Sequence, residues 1–199
     1  MDMTAIGKLS HASLLRPCLG ETVSGDAVVV RALDDGLFVA IVDVLGHGPE
    51  AHELTHIIDA FLERHATLDV AALMPRLHKH LQGTRGAAVG LCAVNAEKGR
   101  IDYVGIGNTS IRCIGESETR LVSKDGIVGQ NMRTPLHQSL KLQSGDLILL
   151  YTDGVSDRFS SVDYPSVRSH SPELVVRAIL DRFGKSHDDS ACIAIRYGE

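Results

Sequence analysis

Residues 26–48, DAVVVRALDDGLFVAIVDVLGHG, decide the fold of this 199-residue chain. Two apolar, β-branched runs, Asp26–Leu33 and Leu37–Asp43, flank Asp34-Asp35-Gly36, and a short Asp-Gly turn between such runs signals a β-hairpin. The second run ends in Asp43-Val44-Leu45-Gly46-His47-Gly48, a glycine-bracketed loop after a buried strand. A helix is predicted next, over Pro49–His65, because Leu54, Ile57, Ile58, Phe61 and Leu62 recur at helical spacing.

Downstream, a second helix is predicted over Val70–Leu81. Strands follow at Ala87–Val94, Arg100–Gly105, Ser110–Ile114, Thr119–Val122, Leu136–Leu140 and Asp146–Tyr151. Thr152–His170 is polar and reads as an exposed flap, with Asp157–His170 a candidate for substrate selection. A last helix, Pro172–Phe183, has proline at its start and Gly184 after its end. The final strand is Ser190–Tyr197. Runs of strands with segregated helices give an α+β class, two antiparallel sheets with helices outside. The length suits a single domain, residues 1–199.

Composition narrows the function. A net charge of −5 without any basic run argues against nucleic acid, whose phosphates require clustered Lys and Arg. The longest apolar run, around Leu147–Tyr151, is too short for a bilayer, and Met1–Ser10 lacks the regions of a secretory leader. Cys18, Cys92, Cys113 and Cys192 are widely spaced and read as reduced thiols, so a cytoplasmic protein is expected.

The chemistry lies in aspartates at strand ends. Asp26 opens a strand after Ser24-Gly25, Asp43 and Asp153 close strands beside glycines, and Asp188-Asp189 precede the last strand. Any one of them alone reads as a turn residue. As a set they suit hard cations, which take oxygen ligands. Converging carboxylates repel unless something neutralises them, and two divalent ions would do so while lowering the pKa of bound water.

Three other motifs fail. His52-Glu53-Leu54-Thr55-His56 matches the HExxH of zinc proteases, but its histidines fall opposite the apolar stripe, and Asp59 and Leu62 stand where the extended motif needs Gly and His. The residues six beyond the cysteines are Ser24, Lys98, Thr119 and Gly198, so no cysteine-phosphatase loop exists. Gly105-Ile106-Gly107 lacks the rest of a dinucleotide fingerprint.

Ser24-Gly25-Asp26, Asp43-Val44-Leu45-Gly46-His47-Gly48, Gly105-Ile106-Gly107-Asn108, Thr152-Asp153-Gly154-Val155 and Asp188-Asp189-Ser190 together resemble the type 2C (PPM) serine/threonine phosphatases, in their bacterial SpoIIE/RsbU-like branch. The resemblance covers about residues 20–197 and implies an αββα sandwich holding two Mn²⁺ or Mg²⁺ ions. It implies Asp43 and Asp153 as catalytic residues. It assigns metal contacts to Asp43, the Val44 carbonyl, Asp153 and Asp188, with Asp26 nearby through water. Asp189 is not separable from Asp188 at this level, and His47 and Asn108 match positions near the site. Val29 and Ala191 replace an Asp and a Thr of the usual motifs. With no sensor domain, the chain looks most like the short stand-alone phosphatases that reset stressosomes. A phosphorylated STAS-domain-type protein would then be the substrate and the enzyme a monomer. The alternatives are a phosphatase of an anti-anti-sigma factor, or a docking module with weak turnover.

Overall fold

The computed structural model describes residues 3–6, 8–158 and 164–198. It contains strands β1 (Met3–Ile6), β2 (Leu9–Arg16), β3 (Asp26–Leu33), β4 (Gly36–Val44), β5 (Ala87–Asn95), β6 (Arg100–Ile106), β7 (Ser110–Ile114), β8 (Glu118–Leu121), β9 (Gln138–Lys141), β10 (Leu147–Tyr151) and β11 (Ser190–Tyr197). The helices are α1 (Pro49–His65), α2 (Val70–His80) and α3 (Pro172–Phe183). A six-stranded sheet runs β1-β2-β11-β10-β7-β8 and a five-stranded sheet β3-β4-β5-β6-β9, with every strand pair antiparallel.

Side-chain alternation builds the four layers. On β4, Leu37, Val39 and Ile41 face the other sheet, meeting Ile148, Leu150, Ile193 and Ile195 in a shared interior. Their neighbours Phe38, Ala40, Val42 and Val44 face outward and pack beneath Leu54, Ile58, Leu73 and Leu77 of α1 and α2. On the far side, Leu147, Leu149, Cys192 and Ala194 pack under Val175, Val176 and Ile179 of α3. Each such buried aliphatic side chain contributes about 1.5–3 kcal/mol, which offsets the entropy lost by ordering the chain. The result is the expected αββα sandwich.

The hairpin forms as expected, with Asp34-Asp35 as a two-residue turn and Leu33 opposite Gly36. Four expectations are corrected. Strands β1 and β2 lie where no element was predicted; β2 inserts between β1 and β11, and its run Leu9–Arg16 mixes polar and apolar residues. Ile57 is not on the buried stripe of α1 but exposed, because its position turns past the sheet. His52 does not simply face solvent: it is half-buried against the Ser24 carbonyl. The segment 152–170 is not one exposed flap, since Thr152, Tyr164 and Val167 are buried, the last two against α3; residues 159–163 lie outside the described residues. Among the described residues, no helix is long and apolar enough to cross a membrane.

Candidate metal centre and active site

The antiparallel order brings one end of each sheet to the same edge. Asp26, first in β3, sits directly across from Asp43 near the end of β4. In the other sheet β10 ends at Tyr151, paired with Cys192, so Asp153 and Asp188 leave the sheet close together. Three hydrogen bonds tie the segments together here, those of Asp26 and Gly25 crossing between the sheets. The Thr152 hydroxyl donates to Asp26 Oδ2 at 2.6 Å, and Asp189 accepts from the Gly25 amide at 2.7 Å and from the Cys18 amide at 2.8 Å.

A cavity of about 560 Å³ opens at this edge, lined by Asp43, Asp153 and Asp188 together with Asp125, Asn108 and His47. Gly46 turns with φ of +88°, a backbone conformation that a side chain would strain, and so lets the loop curl around the cavity. The Asn108 amide donates to Asp153 Oδ2 at 2.7 Å and also favours the charged form of Asp43, so it lies between the two carboxylates. At the mouth, His47 Nδ1 lies 3.0 Å from Glu21 Oε1.

Electrostatics mark the site as a place for positive charge. Burial, and then repulsion from Asp43, pushes the Asp26 carboxyl up to about 8. Burial, then Asp153 and Asp188, pushes Asp43 up to about 7. Burial and Asp153 likewise raise Asp188. Clustered carboxylates hold protons in this way when no cation shares their field.

Three of the sequence-predicted carboxylates, Asp43, Asp153 and Asp188, line one cavity. Asp26 stands behind Asp43 rather than in the lining, and Val44 is buried beneath α1, its amide donating to the Gly25 carbonyl. Among the described residues, no three His, Cys, Asp or Glu side chains close into a tight ion cage on their own. The donor set still fits Mg²⁺ or Mn²⁺: oxygen donors around an open cavity, their charges unbalanced by any lysine or arginine in its lining. Asp188 and Asp189, inseparable by sequence, are distinguished: the first lines the cavity and the second is a buried clamp in its wall. Val29 and Ala191, the two departures from the motifs, are buried in apolar clusters. Sequence reasoning missed Asp125, Glu21 and the role of Thr152. The Asp125-Gly126 turn was a signal for the first; nothing local marked the others.

An αββα sandwich with aspartates gathered where its sheets meet defines a phosphatase 2C-like fold. A family described as stage II sporulation protein E (SpoIIE) matches residues 33–198, and the chain belongs to that family. It is similar to the phosphoserine phosphatase RsbX of Bacillus subtilis (strain 168), with 28% identity over 156 residues, 76% of this chain and 73% of that protein. It is also similar to a chain in a structure described as "The bacterial stressosome: a modular system that has been adapted to control secondary messenger signaling". That chain superposes with a TM-score of 0.87 at 29% identity, over 95% of this chain and 100% of the other. A crystal structure of RsbX in complex with magnesium shares the fold, with a TM-score of 0.84 at 19% identity over 98% of both chains.

Proposed function

We propose that the chain is an RsbX-like, metal-dependent protein serine/threonine phosphatase that removes phosphate from a phosphorylated STAS-domain-type stressosome protein, working as a monomer in the cytoplasm. The observation that carries the proposal is the shared cavity of Asp43, Asp153 and Asp188. Likeness to RsbX supports the reaction, and likeness to the stressosome chain supports the partner. Four buried, unpaired cysteines agree with a reducing compartment.

Asp43, Asp153, Asp188 and the Val44 carbonyl would hold two Mg²⁺ or Mn²⁺ ions, with Asp26 near the second. Such ions, when bound, neutralise the phosphoryl oxygens and acidify water. The chain's own groups do the rest. Asn108 fixes the Asp153 carboxylate at 2.7 Å, and Thr152 fixes Asp26 at 2.6 Å. Water attacks phosphorus, the bond from phosphorus to the serine oxygen breaks, and that oxygen takes a proton. The attacking water gives up a proton to solvent, and His47, held by Glu21 at the cavity mouth, can supply the leaving oxygen's proton from its other ring nitrogen when both ring nitrogens carry hydrogen.

The test is hydrolysis of a phosphorylated stressosome protein and of a phosphoserine peptide with Mn²⁺ or Mg²⁺. Asp43→Asn and Asp153→Asn should abolish turnover while circular dichroism stays native. Undiminished turnover in Asp153→Asn, or in protein stripped of metal, would refute the reading.

A further inference from the structure

The HExxH stretch belongs to no protease, yet its histidines form a pair that the phosphatase reading does not use. His52 and His56 lie one turn apart on α1, and their Nε2 atoms are 3.1 Å from each other, with ring centroids 4.5 Å apart. His52 Nδ1 lies 3.0 Å from the Ser24 carbonyl, which can only accept, so the hydrogen of this ring is on Nδ1 and its Nε2 carries a lone pair. A backbone carbonyl that fixes the tautomer of an imidazole and aims its free nitrogen outward is the usual support of a metal-ligating histidine.

We infer that His52 and His56 form a second metal site, separate from the carboxylate cavity, which takes one borderline divalent transition ion such as Cu²⁺, Ni²⁺ or Zn²⁺. Two nitrogens 3.1 Å apart, each about 2.0–2.1 Å from an ion, subtend roughly 100° at it, between the square-planar and tetrahedral angles. His56 binds as its other neutral tautomer, with the hydrogen moved to Nδ1, so no net proton is lost. His56 is exposed, which leaves the remaining coordination positions to water. Imidazole selects these ions over Mg²⁺, which prefers oxygen, so the two sites sort metals by chemistry. The site also touches the catalytic frame: the Ser24 hydroxyl oxygen accepts from the Asp26 amide at 3.0 Å, and the Ser24 carbonyl holds His52.

The experiment titrates Cu²⁺ into the full chain in excess Mg²⁺, which keeps the carboxylates occupied, and follows affinity by calorimetry and ligand identity by electron paramagnetic resonance. The parent protein should bind one equivalent with two imidazole nitrogens in the signal. Losing a ligand should cost at least what losing a supporting contact does, so His56→Gln should bind roughly 10–100-fold more weakly and lose one nitrogen. His56 is exposed, so that variant should keep the native thermal unfolding curve. His52→Gln should behave alike. Titrations of both variants that superimpose on the parent, or a parent signal without two imidazole nitrogens, would overturn the assignment. The chain has ten histidines, and binding that survives in the double variant would place the ion elsewhere.

Discussion

Replacing Gly154 by alanine tests whether the close approach of two chain segments assembles the site. A Cβ at Gly154 would stand 1.7 Å from the Asp189 carbonyl oxygen and 2.7 Å from Ser190 Oγ. Since real Cβ contacts essentially never fall under 3.0 Å, the turn carrying Asp153 must retreat from the segment carrying Asp188 by more than an ångström. Retreat strains two bonds to the Gly154 carbonyl, from the Ser190 hydroxyl at 3.0 Å and the Lys185 amide at 2.7 Å. Overpacking costs about 1–3 kcal/mol and each of the two weakened hydrogen bonds about 1 kcal/mol, which together come to about 3–5 kcal/mol. For a domain of this size that lowers Tm by about 10 °C. A displacement of about 1 Å between catalytic groups can also cost roughly a hundredfold in turnover. Differential scanning calorimetry and a phosphopeptide assay with Mn²⁺ measure the two effects. A variant that melts within 2 °C of the parent and turns over within twofold of it would show that this contact neither holds the fold nor sets the site.

Metal-free protein should lose stability as pH rises. Asp26 and Asp43 have folded-state pKa values of about 8 and about 7, above their ordinary value. The folded chain therefore binds more protons than the unfolded chain across the window from about 4 to about 8. The stabilisation is complete below that window and gone above it, a fall on the order of a few kcal/mol. Urea unfolding in a chelator should reveal the slope, and Asp26→Asn should flatten it; an unchanged slope would mean that these carboxyls are not its source. Asp189→Asn should destabilise the chain by about 1–3 kcal/mol, because one of the two buried amides it accepts from would lose its partner. Asp188→Asn should leave Tm nearly untouched and abolish turnover, and equal melting of the two variants would disprove their separation. Arg112, wholly buried, donates to Tyr151, Glu118 and Asp157. Arg112→Met should cost about 3 kcal/mol, the low end for a broken buried ion pair, because its Asp157 partner still reaches solvent. Chemical denaturation within 1 kcal/mol of the parent would refute that.

Much of this protein is legible along the chain. The hairpin from Asp26 to Asp43, all three helices and most strands follow from periodicity and turn chemistry, which are local properties. Motif by motif, the acidic residues at strand ends can be read off as well. What the sequence leaves open depends on contacts between distant segments. Strands β1 and β2 carry too mixed a pattern to declare themselves; β2 forms because β11 offers an edge for pairing, and β1 then pairs with β2. Asp188 and Asp189 are adjacent and chemically identical; only the approach of Cys18 and Gly25, 171 and 164 residues away in sequence, makes the second a clamp and leaves the first to the cavity. Likewise Thr152 meets Asp26 across 126 residues. The HExxH stretch reads along the chain as a failed protease motif, and its pairing with the Ser24 carbonyl emerges only when α1 packs beside β3. Local patterns specify which face of an element is apolar. Which of its polar groups meet one another is decided when the two sheets close face to face.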